Sequence, residues 1–123
     1  MSARNYRDLV MWQKAMQLAL AVYEETACFP PEEKYGLQFQ LRKAGISVPS
    51  NIAEGEGRHS KAEFHHFLSV AHGSVREIET QTLLAEMLDY LKKGAIDRLM
   101  GLCSEAGRLI NGFSSSLTRA HPE

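Results

Sequence analysis

Apolar residues recur every three or four positions through four long segments of this chain, and this spacing constrains the fold more than any other feature. An α-helix brings such positions onto one face, which must then be buried against another element. Strand signals are nearly absent, because Val, Ile and Thr do not alternate with polar residues. The four stripes are built from Leu9, Trp12, Met16, Leu20 and Tyr23; Leu37, Leu41, Ala44, Val48 and Ile52; Phe64, Leu68, Ala71, Val75 and Ile78; and Ile96, Leu99, Cys103, Ala106 and Ile110.

Start and stop signals flank each stripe. Phe29 precedes a proline, which pushes it out of helical geometry. Ser60 and Glu63 form a capping box at the start of the third segment, and Gly94 is suited to end it. The sequence predicts an all-α protein, an antiparallel up-down-up-down four-helix bundle. We expect a single domain over residues 1–123, with helices over about residues 5–28, 32–54, 61–92 and 95–118.

The stretch SVPSNIAEGEGR, residues 47–58, places a proline inside the second predicted helix. A proline ring crowds the carbonyl four residues back, which here belongs to Gly45, and glycine lets the backbone bend. We therefore expect a helix that is kinked near Pro49 and continues to about Glu54. Gly55 or Gly57 would then end the helix in a left-handed conformation.

A nucleotide-binding loop is the alternative interpretation of the same stretch. A phosphate loop needs the pattern GxxxxGK[ST], whereas GEGR lacks the lysine and the hydroxyl, and Glu54 and Glu56 would repel phosphate. A dinucleotide-binding fingerprint follows a strand, and no strand is predicted here. The kinked helix is the better interpretation.

The third segment contains residues that could bind a metal ion or take part in catalysis. Glu63 and His66 form one Glu-x-x-His pair, a motif that di-metal bundles use together with further inward glutamates. A metal-dependent enzyme using Glu63, His66, Glu77 and Glu79 is therefore a third hypothesis. The favoured interpretation is structural: one of Glu77 and Glu79 points partly inward and bonds one of Ser47, Asn51 and Ser74. No cofactor is expected.

Charge and composition describe an ordinary globular chain. The net charge is −1, which argues against binding nucleic acid by bulk charge, although a local basic patch remains open. No segment reaches the roughly 20 apolar residues that span a bilayer, so we expect a cytoplasmic protein without a membrane partner. Cys28 and Cys103 are expected to be reduced core residues. The candidate contacts for nucleic acid are Arg42, Lys43, Arg58 and Lys61.

Three sequence blocks resemble a known family. They are FPPEEKYGL from Phe29, SVPSNIAEG from Ser47 and GSVREIE from Gly73, and they resemble the four-helix-bundle family of 23S rRNA intervening-sequence proteins. The resemblance covers about residues 6–91, and the fourth helix more loosely. It implies that the motif residues Ser47, Pro49, Asn51, Glu54, Gly55 and Glu77 are architectural.

The resemblance also implies a homopentamer without enzyme activity. It agrees with the surplus apolar surface of the first helix, although a thicker core would explain that surplus equally well. The first functional hypothesis is therefore a non-enzymatic, homo-oligomeric scaffold or partner-binding module. Related accessory proteins of diversity-generating retroelements bind a reverse transcriptase and nucleic acid, so the alternative is an accessory protein that contacts RNA or a reverse transcriptase through a basic surface.

Overall fold

A computed structural model of the chain describes residues 5–120. Within this range the chain forms four long helices, α1 (Val10–Thr26), α2 (Leu37–Glu56), α3 (Lys61–Met87) and α4 (Lys93–Ala120). Each helix packs against its two neighbours in a closed order, α1 on α2, α2 on α3, α3 on α4 and α4 on α1. The predicted all-α four-helix bundle is confirmed.

The core lies between the four helices and uses the predicted stripes of α2, α3 and α4. The stripe predicted for α1 is wrong, because Met16, Leu20 and Tyr23 are exposed. Ala15, Leu18 and Val22 on the neighbouring side of α1 are buried instead, because these residues face α2 and α4 once the bundle is formed.

Small residues let α1 approach α2 closely: a side chain at Gly45 would lie 3.4 Å from Cβ of Val22. Ion pairs on the surface join α4 to α1, since Arg98 binds Glu24 at 2.8 Å and Glu25 at 2.9 Å. Each helix contributes fully buried apolar side chains, among them Leu18, Val22, Leu41, Val48, Ile52, Leu68, Val75, Ile78, Leu99 and Ile110.

The first two helices begin later than the sequence predicted. A single 3₁₀ turn, Tyr6–Asp8, precedes α1, and a second one, Pro31–Glu33, precedes α2. The Glu33 carboxylate caps α2 by accepting a bond from the Leu37 amide at 2.8 Å and another from the Tyr90 hydroxyl at 2.9 Å. These bonds tie the α1–α2 connection to the α3–α4 connection at one end of the bundle.

The third helix ends five residues before the predicted Lys92. Asp89 adopts a left-handed conformation with φ of 61°, and the Tyr90 amide donates to the Ala85 carbonyl at 2.9 Å. This is the Schellman arrangement that closes many helices. Gly94, the predicted stop, lies instead in the first turn of α4.

The α2 helix continues past its proline as predicted, since Pro49 is buried inside the helix, which ends at Glu56. The kink near Pro49 stays a prediction. The predicted left-handed glycine stop is wrong. Gly57 has φ of −78° and ψ of −3°, and its amide donates to the Ala53 carbonyl. The helix therefore ends in right-handed geometry, and the glycines serve another purpose.

Candidate functional site

Gly55 lies in a tight contact between α2 and α3. A Cβ atom at this position would lie 2.8 Å from Cβ of Phe67 and 2.9 Å from Cδ1 of Phe64. Only glycine fits there without a shift of one helix. Gly55 is therefore an architectural residue because α3 occupies the space that a side chain would need.

A polar cluster lies on the same α2–α3 contact. Its α2 members, Asn51 and Ser47, are one turn and two turns before Gly55. The Ser47 hydroxyl oxygen accepts bonds from the Ser74 hydroxyl at 2.8 Å and from the Asn51 amide at 2.9 Å. The Asn51 amide also donates to the Ser47 carbonyl at 2.8 Å. The cluster satisfies its own groups, so it fixes how the two helices align rather than offering a binding site.

No carboxylate takes part in this cluster, contrary to the expectation for Glu77 and Glu79. Glu77 is exposed, and Glu79 binds Arg76 at 2.8 Å on the side of α3 that faces α4. Glu54 is also exposed and pairs with Arg58 at 2.8 Å. Within the described residues, no three His, Cys, Asp or Glu side chains come close enough to hold a metal ion.

The four basic residues predicted to contact nucleic acid do not form one patch. Arg42 lies over the Tyr23 ring and donates to the Thr26 hydroxyl at 3.0 Å, so its guanidinium is held inside the α1–α2 contact. Lys43 is exposed beside it. Arg58 and Lys61 lie beyond the far end of α2, in the α2–α3 connection and at the start of α3, about four turns of helix away. Contact with RNA or a reverse transcriptase through these residues stays a prediction.

The two cysteines differ in environment. Cys103 is buried between α3 and α4, and burial raises the pKa of its thiol to about 12. Cys28 is exposed at the end of α1, so the expectation that it belongs to the core is wrong. Both are free thiols.

Most of the exposed large apolar side chains in the described residues belong to two sets, and Val10, Leu83 and Met87 are exposed outside them. One set, the α1–α2 face, comprises Met16, Leu20, Tyr23, Tyr35, Phe39 and Ile46. The other, the α3 face, comprises Val70, Leu84 and Leu88 around Glu77. The apolar surplus of the first helix is visible in the sequence. The exposed apolar residues of α2 and α3, such as Phe39, Ile46 and Val70, are visible there too, because they fall outside the core stripes of those helices.

One comparison with known proteins identifies the chain. A family model described as 23S rRNA-intervening sequence protein matches residues 7–112, which is most of the chain. No curated protein matches it. No helix in the described part of the chain has both the length and the apolar character needed to cross a membrane. Because the match extends over far more than half of the sequence and agrees with the four-helix bundle, the chain belongs to the 23S rRNA-intervening sequence protein family.

Proposed function

We propose that this protein is a non-enzymatic scaffold that assembles into a homo-oligomeric ring, and that the ring is a pentamer. The exposed apolar side chains carry the proposal. Phe39 and Ile46 are 49% and 48% exposed, and Leu20 is 59% exposed. Contiguous exposed apolar surface of this kind marks a protein-protein contact. The count of five rests on the family resemblance.

The α1–α2 face combines aromatic and basic side chains. Tyr23 contributes to a cavity of about 520 Å³ that Tyr35, Phe39 and Ile46 also line, together with Lys34, Arg42 and Lys43. Met16 and Leu20 extend the face along α1, because they lie two turns and one turn before Tyr23. The described residues that line this cavity include no carboxylate, so a partner surface with apolar and acidic groups would fit it.

The α3 face has the opposite charge. Val70, Glu77 and Leu84 are seven residues apart and therefore share one side of the helix. They flank Ser74, which bonds to α2, so this face lies toward the α2 side of α3. Exposed aliphatic side chains around a carboxylate complement the aromatic and basic α1–α2 face.

Two different complementary faces favour a head-to-tail contact, in which one face of each copy meets the other face of the next. A symmetric dimer would need one self-complementary face. The two faces lie on adjacent sides of the bundle rather than on opposite sides. Each added copy is therefore turned relative to the last, and we propose that these turns close into a ring.

The assembly is tested by light scattering on a size-exclusion column at micromolar concentration. We expect the mass of five chains for the wild type and smaller species for Phe39→Glu. Lys43→Glu and Glu77→Lys should each weaken the ring, and the double variant should restore it because the charges are exchanged across the contact. Ser116→Glu, which adds the same charge on an exposed part of α4, is the control.

A wild-type monomer or dimer would refute the ring. If Phe39→Glu kept the wild-type mass, the α1–α2 face would not be the contact. A double charge exchange that failed to rescue either single variant would refute the pairing of the two faces.

A further inference from the structure

A groove runs between α3 and α4, on a side of the bundle that the proposed ring does not use. It consists of three cavities of about 320, 660 and 150 Å³ that share lining residues. His65 and Thr118 belong to both the first and the second, and His72 and Asn111 belong to both the second and the third. The central cavity alone has the volume of a small-molecule site. We call the whole the α3–α4 groove.

Basic side chains follow one edge of the groove. Lys61, His65, His72 and Arg76 all line it, and their spacing of four, seven and four residues keeps them on one side of α3. Arg108 faces them from α4. Together they form a track that extends over about four turns of helix, or roughly 20 Å.

Acidic groups are nearly absent from the groove. Among the described residues that line the three cavities, Glu79 is the one carboxylate, and it is bound to Arg76 at 2.8 Å. The chain as a whole has a net charge of −1, so this concentration of basic over acidic groups is local. A net positive groove attracts anions and disfavours cations.

Neutral donors and an apolar floor complete the lining. Ser69, Asn111 and Ser115 present hydroxyl and amide groups, while Leu68 and Ile110 are buried beneath them. The opposite wall is open at Gly107, where a Cβ atom would already lie 3.7 Å from Nε2 of His72. A larger side chain at that position would fill the space beside the imidazole.

We propose that the α3–α4 groove binds a phosphate-bearing ligand. Imidazole, guanidinium, hydroxyl and amide groups are the donors that proteins use to contact phosphate oxygens. His65 and His72 are about 10 Å apart along the helix axis, which suits two contacts with one extended ligand better than two bonds to one metal ion. The ligand is either a small phosphate ester or the backbone of a single-stranded RNA.

The inference does not depend on ring assembly. The groove uses α4 and the α4-facing edge of α3, whereas the ring uses α1, α2 and the α2-facing edge of α3. Loss of the ring in Phe39→Glu should therefore leave phosphate binding intact in each chain, and the two proposals fail independently.

The test uses the full chain at low salt with three probes: pyrophosphate and adenosine monophosphate by calorimetry, and a short labelled single-stranded RNA by fluorescence anisotropy. We expect His72→Gln and Arg108→Gln each to weaken binding by about three- to tenfold. Asn111→Trp keeps every charge but fills the groove, and it should abolish binding. His66→Gln and Lys92→Gln are matched controls, because both residues are exposed and neither lines the groove.

The probes distinguish the two sources of phosphate. RNA that binds far more tightly than the mononucleotide, with affinity that falls steeply with salt, identifies a backbone track. Similar affinities for the mononucleotide and the RNA identify a small-molecule site. The inference is overturned if no probe binds, or if His72→Gln and Asn111→Trp, folded by circular dichroism, bind like their controls.

Discussion

Replacing Gly55 by alanine tests how closely α2 must approach α3. In an open helical position this change stabilises a protein by about 0.5–1 kcal/mol, because alanine restricts the unfolded chain and favours the helix. At Gly55 the new methyl carbon would lie 2.8 Å from Cβ of Phe67, which is attached directly to the backbone. Cδ1 of Phe64, at 2.9 Å, can move by ring rotation, whereas Cβ of Phe67 moves only with its helix.

The two effects have opposite signs, and the steric one is larger. Overpacking of a tight contact costs about 1–3 kcal/mol, so the net loss should be about 1–2 kcal/mol. At a typical dependence of the unfolding free energy on urea, the midpoint should fall by about 1 M. Gly101→Ala is the matched control, because Gly101 is exposed in α4 and a Cβ atom there would meet nothing within 4 Å. We expect it to raise the midpoint.

Urea unfolding followed by helical circular dichroism measures both variants at one protein concentration, since assembly also contributes to stability. If Gly55→Ala were as stable as the wild type or more stable, the argument from close packing would be refuted. If Gly101→Ala were destabilised as well, the loss at Gly55 would reflect helix chemistry rather than the contact with Phe67.

Two further predictions concern titratable groups. In the native protein an alkylating reagent near pH 8 should label Cys28 only, because burial holds the Cys103 thiol protonated with a pKa of about 12. Both thiols should react in denaturant. Rapid labelling of Cys103 in the native protein would contradict its burial. The Leu37 amide and then the Tyr90 hydroxyl hold the pKa of the Glu33 carboxyl below its ordinary value. The Glu33 carboxylate therefore stabilises the fold above the unfolded-state pKa, and this stabilisation is lost as the pH falls through the lower folded-state pKa. The difference in melting temperature between wild type and Glu33→Gln should therefore be largest near neutral pH and disappear in acid; a constant difference would argue against the cap.

Local signals predicted most of the secondary structure. The stripes identified the four helices because an α-helix brings residues three and four positions apart onto one side. Ser60 was identified as a helix cap from three neighbouring residues, and its hydroxyl oxygen accepts from the Glu63 amide at 3.1 Å. Pro49 was accepted inside α2 because Gly45 stands four residues before it.

Helix ends that depend on distant residues were not predictable in this way. The start of α2 is set by Glu33, whose partner Tyr90 is 57 residues away in the sequence. The end of α3 falls at Asp89, a residue type that adopts left-handed geometry less readily than the glycine that was chosen. The groove likewise needs Arg108 of α4 beside the basic edge of α3, although the spacing from Lys61 to Arg76 was visible in the sequence.

By itself, the sequence determined the number of helices, the buried side of α2, α3 and α4, and the tolerance for a proline in α2. These properties depend on residues within one or two turns of each other. Over that distance the geometry of the helix alone determines on which side of it each side chain lies. Tertiary structure alone decided why Gly55 must be glycine, where α2 begins and α3 ends, and which exposed side chains share a face or a groove. Those outcomes depend on the distance between atoms of different helices, which is set only when the four buried stripes pack against one another.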